Sequence, residues 1–260
     1  MNDIEHQKPK TVLVDNCVLD LAETVQEGTK RVEVPWGDIT VTTDIVGLVG
    51  KTPRDTTQQV QRECLPTIAR LVRNGTLLLH KTTEVAFETW HRAGATAPLP
   101  GYLFASVPLI EIPPAIERSR LRQTEIGQHV QGDAVAQFCQ WLLGVDEKHL
   151  LSEATFRVHI TPQEAANLGN LGRFRELCKG LSPDQCRDAF HLWTAEVNGL
   201  DYFLTVDTKF IRALTMRGKK PDLPCLPVTP SDLLDIMGVT ERDPLPFVPG
   251  QFYNSFEDMG

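Results

Sequence analysis

The stretch from Asp188 to Phe210 constrains the fold more than any other part of the chain. It begins with apolar residues at helical spacing, passes through Asn198-Gly199, and continues as the short apolar run 202–206. Glycine readily adopts the left-handed conformation that ends many helices, and a short apolar run suits a strand buried in a parallel sheet. This helix-then-strand unit predicts a three-layer α/β fold, with a central, mostly parallel sheet flanked by helices.

Acidic residues stand at the predicted ends of two such strands. Asp207 follows the run 202–206, and Asp15 directly follows a second apolar run, 11–14. In open α/β sheets, functional groups gather beyond the carboxyl ends of the strands. The pattern therefore predicts that both acids lie in one crevice, although each could instead cap the helix that follows it.

Two segments resemble a known family. Residues 11–19 read as a first strand with its acid, and residues 188–207 read as Asp-Ala-hydrophobic-His, then Ala, Gly and Asp, then a hydrophobic run ending in Thr-x-Asp. In this order the two segments resemble PIN-domain nucleases, and the similarity extends over 11–25, 56–92 and 182–238. The matching positions of the second segment are Asp188, Ala189, Phe190, His191, Ala195, Gly199, Asp201, Thr205 and Asp207.

The resemblance implies a PIN-like fold and a metal-dependent endoribonuclease, toxin-like or RNA-processing, that hydrolyses phosphodiester bonds through an acidic cluster. Clustered carboxylates raise each other's pKa, and Mg²⁺ or Mn²⁺, which prefer oxygen ligands, remove that cost. Such a cation also turns a bound water into a nucleophile near neutral pH. The four acids implied as catalytic and metal-binding are Asp15, Glu88, Asp188 and Asp207.

Two of these assignments have competitors on the same predicted helices. Glu84 is the alternative to Glu88, and Asp184, one turn before Asp188, is the alternative to Asp188. Asn16 and Thr205 are candidates for orienting a metal-bound water. His191 is close enough in sequence to suggest a general base, but its place on an apolar helix favours a packed side chain.

Charge places a condition on RNA binding. The formal net charge is −8, whereas nucleic-acid binders usually carry a basic face, so any RNA site must be a local basic patch. The residues after Asp207 supply such candidates for phosphate contacts: Lys209, Arg212, Arg217, Lys219 and Lys220. By contrast, the mixed charges around Arg118 and Arg120 are typical of a solvated helix face.

The remaining patterns divide the chain. Residues 1–10 are expected to be a disordered lead-in, and 11–238 a PIN-like domain that carries two insertions. Period-two alternation around Gly37-Asp38 predicts a hairpin at about 31–50, and capped helical segments predict a largely helical insertion at about 93–181. The tail, 239–260, either packs on the body or is loose.

Composition narrows the context. Six scattered cysteines without a C-x-x-C motif fit reduced thiols and a cytoplasmic location. No apolar run of about 18 residues occurs, so no membrane association is expected. DNA as a substrate, an inhibitory protein partner and a homo-oligomer all stay open.

Two other function classes are considered. A catalytically inactive PIN-like scaffold would bind RNA or protein without cutting it. A haloacid-dehalogenase-type phosphatase also begins with a strand and an Asp, but its chemistry needs a second acid two residues later, where this chain has Cys17.

Overall fold

A central parallel sheet organises the protein. The computed structural model describes residues 8–85, 102–121, 134–215, 222–255 and 258, and within these ranges the sheet has five strands in the order β5-β4-β1-β6-β7, every neighbouring pair parallel. This confirms the predicted α/β class. The strands are β1 (Lys10–Val14), β4 (Leu77–Thr82), β5 (Leu109–Ile112), β6 (Tyr202–Leu204) and β7 (Leu226–Val228).

Helices cover both faces of this sheet. In chain order the described ones are α1 (Asn16–Ala22), α2 (Thr56–Glu63), α3 (Leu65–Arg73), α4 (Arg118–Leu121), α5 (Ala134–Gly144), α6 (Glu147–Ser152), α7 (Ala154–Arg157), α8 (Pro162–Gly169), α9 (Leu171–Cys178), α10 (Pro183–Val197), α11 (Thr208–Thr215) and α12 (Pro230–Ile236), besides a 3₁₀ turn at Tyr102–Phe104. None of them combines the length and the apolar character that crossing a bilayer requires.

Alternate residues of β1 enter opposite cores, as the period of a strand requires. Val12 and Val14 belong to the core that includes α1, α3 and α12. Leu13 belongs to the core that includes α5, α9 and α10, where Phe190 and Trp193 are fully buried. Burial on both faces explains why β1 reads as a continuous apolar run.

Helix α10 is defined by signals that are visible in the sequence. Ser182 caps it, and Ser182 and Gln185 form a reciprocal capping box. Its end is set by Asn198 and Gly199, whose φ of 67° lies in the left-handed region that glycine adopts without penalty. The chain then turns directly into β6, so the predicted helix–glycine–strand unit is present.

The predicted hairpin is also present, and it is longer than expected. Its strands are β2 (Val25–Trp36) and β3 (Ile39–Gly50), which pair antiparallel along their whole length. A short strand from the tail, β8 (Phe252–Tyr253), pairs with β3 and completes a second sheet of three strands. The side chains of Phe247 and Tyr253 are buried there, so the described part of the tail packs on the body.

Other boundaries differ from the predicted ones. Of the lead-in, residues 1–7 lie outside the described ranges, while Lys10 already belongs to β1 and pairs with Asp201 at 3.6 Å. The helix expected around Pro66 is divided at Cys64 into α2 and α3. The segment 93–181 is not only helical, because its strand β5 forms one edge of the central sheet.

Candidate active site

Two acids follow neighbouring strands of the central sheet. Val14 of β1 is aligned with Leu204 of β6 in a parallel ladder, so both strands end at the same edge. Asp15 comes directly after β1, and its backbone N–H donates to the carbonyl of Leu204 at 2.9 Å. Asp207 follows β6 by three residues. Asp15 and Asp207 thus follow adjacent strands at the same edge of the sheet.

Thr205 connects these two acids. Its hydroxyl donates to Asp15 Oδ2 at 2.7 Å and accepts a hydrogen bond from the backbone N–H of Asp207 at 3.1 Å. The Thr205 side chain is completely buried. A buried hydroxyl with both bonds made holds the carboxylate of Asp15 in one orientation.

Cys17 is a residue of this site that the sequence patterns do not assign. Its Sγ donates to Asp15 Oδ2 at 2.7 Å and accepts from the backbone N–H of Val206 at 3.3 Å. Burial, together with the charge of Asp15, raises the thiol pKa well above its usual range. The position at which a haloacid dehalogenase needs an acid therefore holds a neutral hydrogen-bond donor. Its spacing of two residues from Asp15 is the only local signal.

Asp188 shares its electrostatic surroundings with both strand-end acids. Its side chain is buried, and burial, followed by the charge of Asp15, raises its pKa to about 8. His191 and Arg187 act in the opposite direction, Arg187 Nε lying 4.0 Å from Asp188 Oδ1, and Asp207 adds to the rise. The fold thus brings Asp188 within electrostatic reach of both Asp15 and Asp207.

The alternative residue on α10 is placed differently. Asp184 lies in the first turn of the helix and is exposed, whereas Asp188 lies a turn further along and is buried. His191 is packed, as expected, with its ring stacked against Phe203 at a centroid distance of 6.4 Å.

Asp207 also performs the structural role that the sequence leaves open for it. Its Oδ1 accepts hydrogen bonds from the backbone N–H groups of Lys209 and Phe210, each at 2.9 Å, and so caps α11. No described residue donates to its other oxygen, Oδ2. Capping therefore leaves one oxygen of this carboxylate available to a ligand.

Two residues, Glu88 and Glu84, are candidates for the fourth acid. Glu88 lies outside the described residues. Glu84 is fully buried and is bound by Arg118, whose Nε and Nη2 lie 2.8 and 2.7 Å from its two oxygens. The expectation of a solvated Arg118 is therefore wrong, because this guanidinium neutralises Glu84 in the interior. A carboxylate engaged in this way is a poorer ligand than an unpaired one.

The remaining candidate residues differ in how far they are buried. Asn16 is buried at the start of α1, next to Asp15. Lys209 and Arg212 are exposed on α11, as phosphate contacts would have to be. Arg217, Lys219 and Lys220 lie outside the described residues.

The donor set can be compared with what a divalent cation requires. Among the described residues, no three His, Cys, Asp or Glu side chains form a ready-made metal site. The chemistry of the three acids still fits Mg²⁺ or Mn²⁺, because they offer oxygen ligands and because repulsion from Asp15 and Asp207 adds to the effect of burial in raising the pKa of Asp188. A cation would relieve that repulsion and restore ionised Asp188.

Comparisons with protein-family models, with curated proteins and with solved structures give no match.

Proposed function

We propose that the protein is a metal-dependent nuclease that hydrolyses phosphodiester bonds of RNA. Asp15, Asp188 and Asp207 are its metal-binding acids, and Glu88 is the candidate for a fourth. The observation that carries the proposal is that Asp15 and Asp207 follow adjacent parallel strands and are joined through Thr205, beside buried Asp188, whose pKa is raised by burial and by the charges of Asp15 and Asp207. Functional groups in open α/β sheets gather beyond the carboxyl ends of the strands, and a buried carboxyl with a perturbed pKa beside such a group is a candidate for a functional residue.

Each acid has a distinct part in this proposal. Asp15 would hold the cation through its Oδ1 side, because its Oδ2 already accepts hydrogen bonds from Thr205 and Cys17. Asp207 could offer Oδ2 while its Oδ1 keeps the cap of α11. Asp188 would take part once it has lost its proton. When bound, Mg²⁺ or Mn²⁺ supplies a nucleophilic water and neutralises charge on the phosphate.

RNA is proposed as the substrate for two reasons: the resemblance to PIN-domain nucleases, and the position of basic residues on the helix that follows Asp207. Lys209 and Arg212 are exposed on the helix that Asp207 caps, where they can contact a phosphate without any rearrangement of the sheet. Contacts of this kind position a nucleic acid and do not read its sequence.

The test is cleavage of labelled single-stranded RNA, with single-stranded DNA in parallel, in Mg²⁺, Mn²⁺ or EDTA. Asp15→Asn and Asp188→Asn are expected to reduce cleavage by two or more orders of magnitude, because each removes a charge that holds the metal. Asp184→Asn is the matched control on the same helix and keeps wild-type activity.

Folding of each variant is checked by circular dichroism. Equal cleavage by the wild type and Asp15→Asn would refute the site. A folded wild type that binds RNA but cuts neither substrate in either metal would instead favour the inactive scaffold.

A further inference from the structure

A cleft of about 820 Å³ adjoins the acidic site. Cys17 and Val206 form one part of its wall, and Cys17 is the residue whose thiol is bonded to Asp15. The rest of the wall comes from α1, from the base of the β2–β3 hairpin, from the segment 51–54 that follows it, from α2 and from Gly250 of the tail. A ligand in the cleft would therefore lie beside the proposed metal-binding acids.

Arg62 in this wall is a buried cation with which no described carboxylate forms an ion pair. Its side chain is 4% exposed, and its Nη1 donates to the carbonyl of Lys51 at 2.5 Å. Its Nε makes no hydrogen bond to any described residue, and none of them forms an ion pair with it. Burial lowers its pKa. A buried charge left unpaired is costly, and an anion in the cleft would compensate it.

Two further cations and two acids line the same cleft. Arg54 is exposed, and no described carboxylate pairs with it. Lys51 pairs with Glu23, its Nζ lying 3.3 Å from Oε2, and Asp20 is the other acid. Because Glu23 is already engaged by Lys51, two arginines stand against one aspartate, Asp20, and the remaining formal charge of the cleft wall is positive.

The hairpin and the tail each contribute one glycine to the wall. Gly50 at the end of β3 and Gly250 in the tail both line the cleft. They are joined by a hydrogen bond of 2.8 Å from the N–H of Gly250 to the carbonyl of Gly50. The hairpin and the tail therefore fix the shape of this cleft.

We infer that the cleft binds a phosphate group of a single-stranded nucleic acid, with Arg62 and Arg54 as its principal contacts. Guanidinium groups suit this ligand because their planar donors can bind phosphate oxygens in pairs. The inference rests on the proposed function for the identity of the strand. The bound phosphate is one that is not cut, since it lies in the cleft beside the acids while the scissile phosphate lies at the metal.

Binding is measured without cleavage, as fluorescence anisotropy of a labelled single-stranded RNA 12-mer in EDTA. Arg62→Gln is expected to weaken binding roughly tenfold and Arg54→Gln several-fold, each lowering the salt slope by about one. Arg73→Gln is the matched control: it removes the same charge from an exposed position on α3 outside the cleft, and it leaves the dissociation constant within about twofold.

Arg54 is exposed, so Arg54→Gln is expected to fold and tests RNA binding by the cleft even if Arg62→Gln is unstable. Affinities of Arg62→Gln and Arg54→Gln equal to that of Arg73→Gln would overturn the inference. Inorganic phosphate is the second probe: stabilisation of the wild type by phosphate without any RNA binding would overturn the assignment to nucleic acid. Because EDTA removes catalysis, RNA binding that depends on Arg62 supports the cleft even if Asp15→Asn shows that the proposed nuclease site is wrong.

Discussion

The hydroxyl of Thr205 donates a 2.7 Å hydrogen bond to Asp15 Oδ2, joining residues that are 190 positions apart in the sequence. Because Thr205 follows β6 and Asp15 follows β1, the bond fixes the first acid by means of the neighbouring strand. The same hydroxyl accepts from the backbone N–H of Asp207. One buried side chain therefore sets the relative positions of two proposed metal-binding acids.

Thr205 is expected to act as a positioning residue. Thr205→Val keeps the shape of the side chain but leaves Asp15 Oδ2 and the Asp207 N–H without this partner, so metal binding should weaken and cleavage should fall about 10–100-fold. Thr205→Ser restores the hydroxyl and should recover most of the activity. Isothermal titration with Mn²⁺ separates this role from a loss of fold: unchanged Mn²⁺ affinity in a folded Thr205→Val would contradict it.

The raised pKa of Asp188 predicts a pH dependence of stability. In the folded metal-free protein this carboxyl keeps its proton up to about pH 8, whereas in the unfolded chain it loses it near pH 4. Between these values the folded state binds more protons, so the contribution of Asp188 to stability falls as pH rises, by at most about 1.4 kcal/mol per pH unit, and levels off above pH 8.

Urea unfolding in EDTA between pH 5 and pH 8 measures this effect. Asp188→Asn has no proton to lose at this position, so its stability should exceed that of the wild type by a margin that grows with pH. Asp184→Asn controls for the removal of an acid from α10. A margin that stays constant over this range would show that Asp188 ionises normally.

Manganese should stabilise the protein through the three acids. At a concentration 100 times the dissociation constant, a ligand that binds only the folded state adds about 2.7 kcal/mol. Asp207→Asn should stabilise the metal-free protein, because it removes one of the like charges around Asp188, and should reduce the shift caused by Mn²⁺. Asn caps helices about as well as Asp, so α11 is kept. Equal melting temperatures for both proteins, with and without Mn²⁺, would mean that these acids do not share a site.

The contact between the tail and the hairpin can be tested at Gly50. A Cβ at this position would lie 2.5 Å from the carbonyl oxygen of Val248 and 2.9 Å from the ring of Phe247. Because the nearer atom belongs to the backbone, Gly50→Ala should destabilise by about 1–3 kcal/mol and make the tail more sensitive to limited proteolysis.

The control for this substitution is Gly172→Ala. Nothing lies within 4 Å of a Cβ built at Gly172, which is in helix α9, so alanine there should stabilise by roughly 0.5–1 kcal/mol. Thermal unfolding of both variants, followed by proteolysis, gives the comparison. A Gly50→Ala protein as stable and as resistant as the wild type would show that the tail yields without cost.

The helix and strand whose ends are marked by local sequence signals could be predicted from the sequence. The capping box at Ser182, the left-handed glycine at Gly199 and the apolar run of β6 are contiguous, so α10 and β6 follow from the sequence. Strand β5 was not predicted, because it is four residues long, stands among prolines and exposes two of its side chains. Only its pairing with β4 makes it a strand.

In the site, too, some residues could be predicted from local sequence patterns, whereas others are placed by contacts between distant parts of the chain. Asp15 and Asp207 could be predicted because the ends of parallel strands meet at one edge of a sheet. Burial of Arg62 could not, since the carbonyl it binds belongs to Lys51 and the cleft it lines includes residues from the hairpin and from the tail. Arg118 reads as a surface residue until Glu84, 34 positions earlier, is brought against it.

The buried pair of Glu84 and Arg118 also bears on how this protein can change over evolution. Replacement of either residue alone leaves the other charge in the interior without a partner, at a cost of about 3–5 kcal/mol, whereas replacement of both by apolar residues of similar volume can be neutral. Sequences descended from a common ancestor with this chain should therefore keep both residues or lose both. Arg118 lies in the segment 93–181, which its sequence indicates to be an insertion, and Glu84 lies just after β4. Because the two charges need each other, this segment and β4 are expected to have been inherited together.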